Sequence, residues 1–136
     1  MALIVATVVV AVWYLVWDMF LLEPLLGSYM AGIPGMNPSP ALMWIVVGEL
    51  SSGLVLAAVY ARVRSVFGTG LANGATYGVY AAVLANFPLW LMMSVYAGWP
   101  YGTAWAFTIA SIPVWAIAGG LVGLVYQKMG TPARAA

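Results

Sequence analysis

Apolar positions gather in four long runs, set apart by short stretches rich in glycine, proline and charge. Crossing roughly 30 Å of hydrocarbon at 1.5 Å per residue takes about 20 apolar residues in a helix. The runs predict helices over about 2–24, 41–61, 71–97 and 103–127. They are too long and unbroken for the alternation of a membrane barrel, and lipid admits only elements that satisfy their backbone internally. The pattern therefore predicts an all-α membrane protein: one four-transmembrane-helix domain over 1–128, followed by a short flexible cytoplasmic tail at 129–136.

The connections differ in kind. Gly27 to Pro40 reads GSYMAGIPGMNPSP, whose prolines and glycines forbid one continuous helix. Arg62 to Gly70 (RVRSVFGTG) reads as a basic turn and Gly98 to Gly102 (GWPYG) as a tight aromatic one. Arg62 and Arg64 share a side with Lys128 and Arg134, and no other connection is basic. The positive-inside rule then predicts a multi-pass protein of the inner membrane with both termini cytoplasmic. The first run lacks a basic start and exceeds a signal peptide's apolar core, so it reads as an uncleaved helix.

A displacement of 66 residues places SYMAGIP (Ser28 to Pro34) on SVYAGWP (Ser94 to Pro100). The same shift puts Gly53, Val59, Tyr60 and Arg62 on Gly119, Val125, Tyr126 and Lys128, and Tyr14 on Tyr80. Two parallel repeated hairpins about an axis along the membrane normal fit these matches. Frequent Ala, Gly and Val in any apolar chain fit them too.

Composition narrows the chemistry. Hydrophobic residues are 65% of the 136 and charged residues 5%, against roughly 25% charged in soluble domains. So few charges cannot cover a water-soluble surface, and a net charge of +1 leaves no nucleic-acid footprint. Without cysteine or histidine there is no thiolate, imidazole base or ordinary metal site. No catalytic residues, metal ligands or cofactors are expected, and no enzyme.

Small residues mark the helix-contact faces, because close packing drives association in lipid. Gly74, Gly78 and Ala82 form one ridge, Gly119 and Gly123 a second, and Gly53 with Ala57 a third. Whether each meets the same chain or another copy is open at this level. Helical spacing puts Thr7, Ala11, Tyr14 and Asp18 on one face, with Trp13 and Trp17 elsewhere. It likewise aligns Glu49, Gly53, Leu56 and Tyr60, and Thr108, Ser111, Trp115 and Gly119. Tyr29, Trp44, Tyr96, Trp99, Tyr101 and Trp105 are expected in an outer aromatic belt, and Tyr60 and Tyr126 in an inner one.

Glu49 is the leading candidate for function. It lies about eight residues, or roughly 12 Å, into its helix, where a charge costs on the order of 3 kcal/mol. Asp18 reaches similar depth if the first helix continues to Leu26. No basic residue in that half neutralises either acid, which leaves neutral acids, a pair sharing a proton, or a bound cation. Asn86 and Ser111 reach comparable depth and complete a candidate ligand- or ion-binding set with Glu49 and Asp18. A buried polar fastener is the competing role for Glu49, and interfacial placement the competing one for Asp18 and Glu23. Pro88 and Pro113 interrupt the later helices and free the carbonyls of Leu84 and Ile109, either as plain kinks or as cavity lining.

Asn73 to Gly78 (NGATYG), Tyr80, Trp99-Pro100 and Gly119 to Gly123 (GGLVG) resemble a small bacterial four-helix integral membrane protein family of unknown function. The resemblance covers about Gly70 to Tyr126 and implies the four-helix fold, with no activity or site attached. The first functional expectation is action through helix packing, as a homo-oligomer or an accessory subunit of a membrane complex. The alternatives are a small transporter or channel for a proton, cation or polar solute using Glu49, and a binder of a lipid-soluble ligand such as quinone, pigment or lipid. The expected partners are the lipid bilayer and other membrane subunits or copies of the chain.

Overall fold

A computed structural model describes residues 1–37 and 40–129; the tail at 130–136, with Arg134, lies outside the described residues. The helices are α1 (Ala2–Val16), α2 (Glu23–Met30), α3 (Leu42–Phe67), α4 (Leu71–Tyr96) and α5 (Gly102–Met129), with a π-helical segment at Trp17–Leu22 joining α1 to α2. There is no strand among the described residues, and four helical segments are long and apolar enough to cross a membrane. The chain is an all-α four-helix membrane bundle.

Two helix ends depart from the sequence expectation. The first helix does not stop near 24: the residues at both joints, Trp17 and Leu22, are right-handed helical, so the rod continues from Ala2 to Met30. Pro24 explains the π segment. It lacks an N–H, and its ring crowds the carbonyl four residues back, so the ladder loosens in the turn before it. The second departure is α3, which runs on to Phe67 and places Arg62 and Arg64 in helix instead of in a turn. Nothing in ARVRSVF breaks a helix. The stop comes at Gly68, with φ 86°, and Gly70, with φ 97°, completes the reversal into α4.

Arg62, Arg64 and Lys128 mark one end of the bundle, here the basic end; α2 and the α4–α5 turn mark the far end. The most extensive interface is α4 on α5. A Cβ added at Gly74 would collide with the backbone of Gly119 and Gly123, and one at Gly78 with the carbonyl of Trp115. The backbones approach closely enough for the Gly70 N–H to donate to the Gly123 carbonyl at 3.1 Å. Gly53 plays the matching part for α1 on α3, since its Cβ would lie 2.7 Å from the Thr7 carbonyl. The glycine ridges are therefore occupied within the chain.

α1 packs against both α3 and α5, whereas α3 meets α4 and α5 only thinly. That thin contact is held toward the basic end by tyrosines. Tyr77 Oη donates to the Leu56 carbonyl at 2.9 Å, Tyr60 Oη to Gly68 at 2.7 Å and Tyr126 Oη to Ala57 at 3.4 Å. Tyr60 also stands 5.2 Å from the Tyr77 ring and 5.6 Å from that of Tyr126. Tyr60 and Tyr126 are thus core residues and not an inner aromatic belt, because both rings are buried and their hydroxyls find partners on the backbone of Gly68 and Ala57. Arg64 covers this cluster with its guanidinium 5.4 Å from the Tyr126 centroid.

Positions 66 apart correspond in part. Gly53 and Gly119 each meet the preceding long helix, and Tyr60 and Tyr126 face each other. Tyr14 is buried while Tyr80 is exposed, and Gly98 takes a positive φ that Gly32 does not.

Candidate functional site

The rod that carries the chain past Asp18 to Met30 leaves that residue half-buried against the bundle. There it stands beside Glu49 of α3, within reach of a carboxyl–carboxyl hydrogen bond. Such a bond needs a proton on one of them. Both acids line a partly open cavity of about 400 Å³ bordered by α1, the π segment, α2, α3, α4 and α5. Asn86 and Ser111 line the same cavity, so all four residues picked from the sequence converge on one space.

Each wall follows from helical spacing. Tyr14 stands one turn before Asp18, Ser52 one turn after Glu49, Trp90 one turn after Asn86 and Trp115 one turn after Ser111. Asn86 Nδ2 donates to the Ala82 carbonyl at 3.0 Å and Ser111 Oγ to the Thr108 carbonyl at 2.8 Å, which fixes both on their own helices. Tyr14 is different. It is only 5% exposed, and its hydroxyl has no hydrogen-bond partner. The buried indole N–H of Trp90 is also unpartnered. Leaving such a group unsatisfied costs about 1–3 kcal/mol, so these two are spare hydrogen-bonding capacity beside the cavity, as Thr108 Oγ1 is outside it.

The far end is roofed by the only other buried apolar cluster among the described residues: Ile33, Trp99 and Phe107, with Leu26, Met30 and Met36 against them. Trp99 Nε1 donates to the Pro34 carbonyl at 3.0 Å, and its ring stacks on Trp90 with centroids 6.0 Å apart. Tyr29 Oη and Thr103 Oγ1 lie 3.1 Å apart and tie α2 to the start of α5. Trp99 is therefore a buried roof residue and not part of an outer belt. Trp44, Tyr96, Tyr101 and Trp105 are exposed near that end.

No protein-family model, curated protein or solved structure matches this chain. Of the residues quoted for the resemblance, Asn73 to Gly78 and Gly119 to Gly123 sit along the α4–α5 seam, whereas Trp99 lines the acid cavity.

Several expectations change at the site. Trp13 and Trp17 also turn inward: Trp13 Nε1 donates to the Val114 carbonyl at 2.9 Å, and Trp17 lines the cavity. The reason is that α1 is wedged between two helices and so buries two faces. Pro88 and Pro113 lie on exposed faces and are not among the residues that line the acid cavity. Spacing missed Ser52 and Trp90 as lining residues, although each lies one turn from a residue it did select.

The arrangement has a definite chemical sign. Among the described residues no basic one lines the cavity, so the two carboxyls favour positive charge and repel anions. Among the described residues no group of three or more acids, histidines or cysteines gathers as a metal would require. Hard divalent ions take six or more oxygens, and two carboxyls beside six aromatic rings are a poor match to that.

Proposed function

We propose that this chain is a small transporter that binds a monovalent cation at the Asp18–Glu49 pair, inside an inner-membrane bundle with both termini cytoplasmic. The observation that carries this reading is the convergence of Asp18, Glu49, Asn86 and Ser111 on one cavity in which the Tyr14 hydroxyl is buried without a partner. A proton and a cation compete for the same two carboxyls. The lining offers no other acid or base besides the Tyr14 phenol of α1, since α4 and α5 contribute only neutral Asn86, Trp90, Ser111 and Trp115. Cation affinity therefore rises with pH and falls as protons fill the pair. Action through packing between copies loses its sequence argument, because Gly53, Gly74, Gly78, Gly119 and Gly123 are all occupied inside the chain.

The test is cation-dependent proton flux in proteoliposomes with wild type, Glu49→Gln and Asp18→Asn. Loss of flux in both variants, with the fold intact, supports the reading; unchanged flux in both ends it. Reporter fusions after Arg64 and after Ala136 should both report the cytoplasmic side.

A further inference from the structure

A second cavity, a cleft of about 650 Å³, runs between α3 and α4 from mid-bundle at Ser52 and Ala85 toward the basic end at Phe67 and Tyr80. Its walls are almost wholly apolar, with Val55, Val59, Leu84 and Ala85 among them, and Val55, Val59 and Leu84 are exposed on the bundle's flank. Ser52 and Trp115 line both this cleft and the acid cavity. The two spaces thus share a wall of one small hydroxyl and one indole.

We propose that the ligand is an amphiphilic organic monocation, a substituted ammonium bearing a hydrocarbon chain, whose head sits at the Asp18–Glu49 pair and whose chain lies in the α3–α4 cleft. This rests on the cation-binding reading and adds the ligand's class and its route, which is sideways from the lipid. Three observations carry it. The head cavity is walled by Tyr14, Trp17, Trp90, Trp99, Phe107 and Trp115, and aromatic faces bind substituted ammonium while offering no oxygen to a bare metal ion. The water-facing end is spanned by the Trp99–Pro34 and Tyr29–Thr103 bonds. The α3–α4 flank is open and apolar, and Ser52 and Trp115 border both it and the acid cavity.

The experiment uses the full chain in nanodiscs and reads saturable change in tryptophan fluorescence with two probes, octyltrimethylammonium and tetramethylammonium, and with octyl sulfate as the anionic control. Ala85→Trp and Val59→Trp fill the cleft from positions exposed on its wall, and each is compared with wild type in thermal melting. Octyltrimethylammonium should weaken about tenfold in both variants, as an overfilled apolar site predicts. Tetramethylammonium should be unchanged in both, and octyl sulfate should not bind. If both cations bind in a Glu49-dependent way but neither variant affects the octyl probe, the cleft holds no chain; the lateral route then fails while cation binding survives. If Glu49-dependent proton flux is present and neither ammonium binds, the ligand class is wrong and the transporter reading stands. If nothing depends on Glu49, both fall. The chain has no cysteine, so a single Val59→Cys gives a clean further check: efficient cross-linking to a second copy would place a protein in the cleft and overturn the proposal.

Discussion

The α4–α5 seam and the acid cavity are neighbours built on opposite rules. Along the seam Gly74 and Gly78 meet Gly119, Gly123 and Trp115 backbone to backbone, and no site has room for a methyl group. Around the cavity the side chains are large, and their polar ends are incompletely satisfied: Tyr14 Oη and Trp90 Nε1 have no partners. Lipid supplies no hydrophobic force to hold helices together, so stability must come from close packing, and the seam concentrates it. The closely packed α4–α5 hairpin lets the bundle keep, among all its long helices, a space that packing alone would fill. Stability and binding thereby rest on different contacts of one small bundle, and substitutions can tell the two apart.

The largest effect should come from the seam. Gly78→Ala places a methyl on the Trp115 carbonyl, which cannot move without displacing α5, and should cost more than about 3 kcal/mol. Gly48, with nothing within 4 Å of its added Cβ, is the control: Gly48→Ala should leave melting unchanged or raise it by about 0.5–1 kcal/mol. Thermal melting in detergent, followed by circular dichroism, checks both. Equal tolerance at the two positions would mean that the seam does not hold the bundle.

The next effect belongs to the cavity and should be seen in binding more than in stability. Glu49→Gln keeps a group that can hydrogen-bond Asp18 but removes one of the two carboxyls that a cation can meet. Truncating one partner of a buried charge pair costs about 2–5 kcal/mol of binding, so cation affinity should fall about a hundredfold while melting shifts by less than about 1 kcal/mol. Titration at two pH values sharpens the result, since the wild-type affinity should rise with pH and that of the variant should do so less. A variant that unfolds yet binds normally when folded would identify Glu49 as a fastener.

The contrast also shows what sequence patterning can read. Four spans, their single polar faces and the glycine ridges are local regularities, and each was legible because helical spacing is fixed. Convergence of Asp18 and Glu49 was legible only conditionally, since it turned on where the first helix ends. Pro24 sat in view, but whether a proline stops a helix or is absorbed by a loosened turn depends on what packs around it. The pairing of ridges was not legible at all: a glycine stripe looks the same whether its partner is the next helix or another molecule. Tyr60 and Tyr126 show the same limit, for a tyrosine near a helix end suits an interface and a buried carbonyl equally well until the neighbouring helix is placed.

The smallest predicted effect compares two buried tyrosines that differ in one atom's surroundings. Tyr77 Oη donates to the Leu56 carbonyl and fastens α4 to α3, so Tyr77→Phe should lower stability by about 1 kcal/mol. Tyr14 is as deeply buried, but its hydroxyl is unpaired, so Tyr14→Phe removes a desolvated group that gains nothing from the protein. Its stability should be unchanged or rise by up to about 1 kcal/mol, with the effect appearing instead as a few-fold loss of cation affinity. Opposite signs in melting for the same chemical change would locate the spare hydrogen-bonding capacity of the bundle in the cavity. Equal destabilisation by the two substitutions would show that Tyr14 is already paired within the protein, and the cavity would lose the feature that distinguishes a binding site from a packing defect.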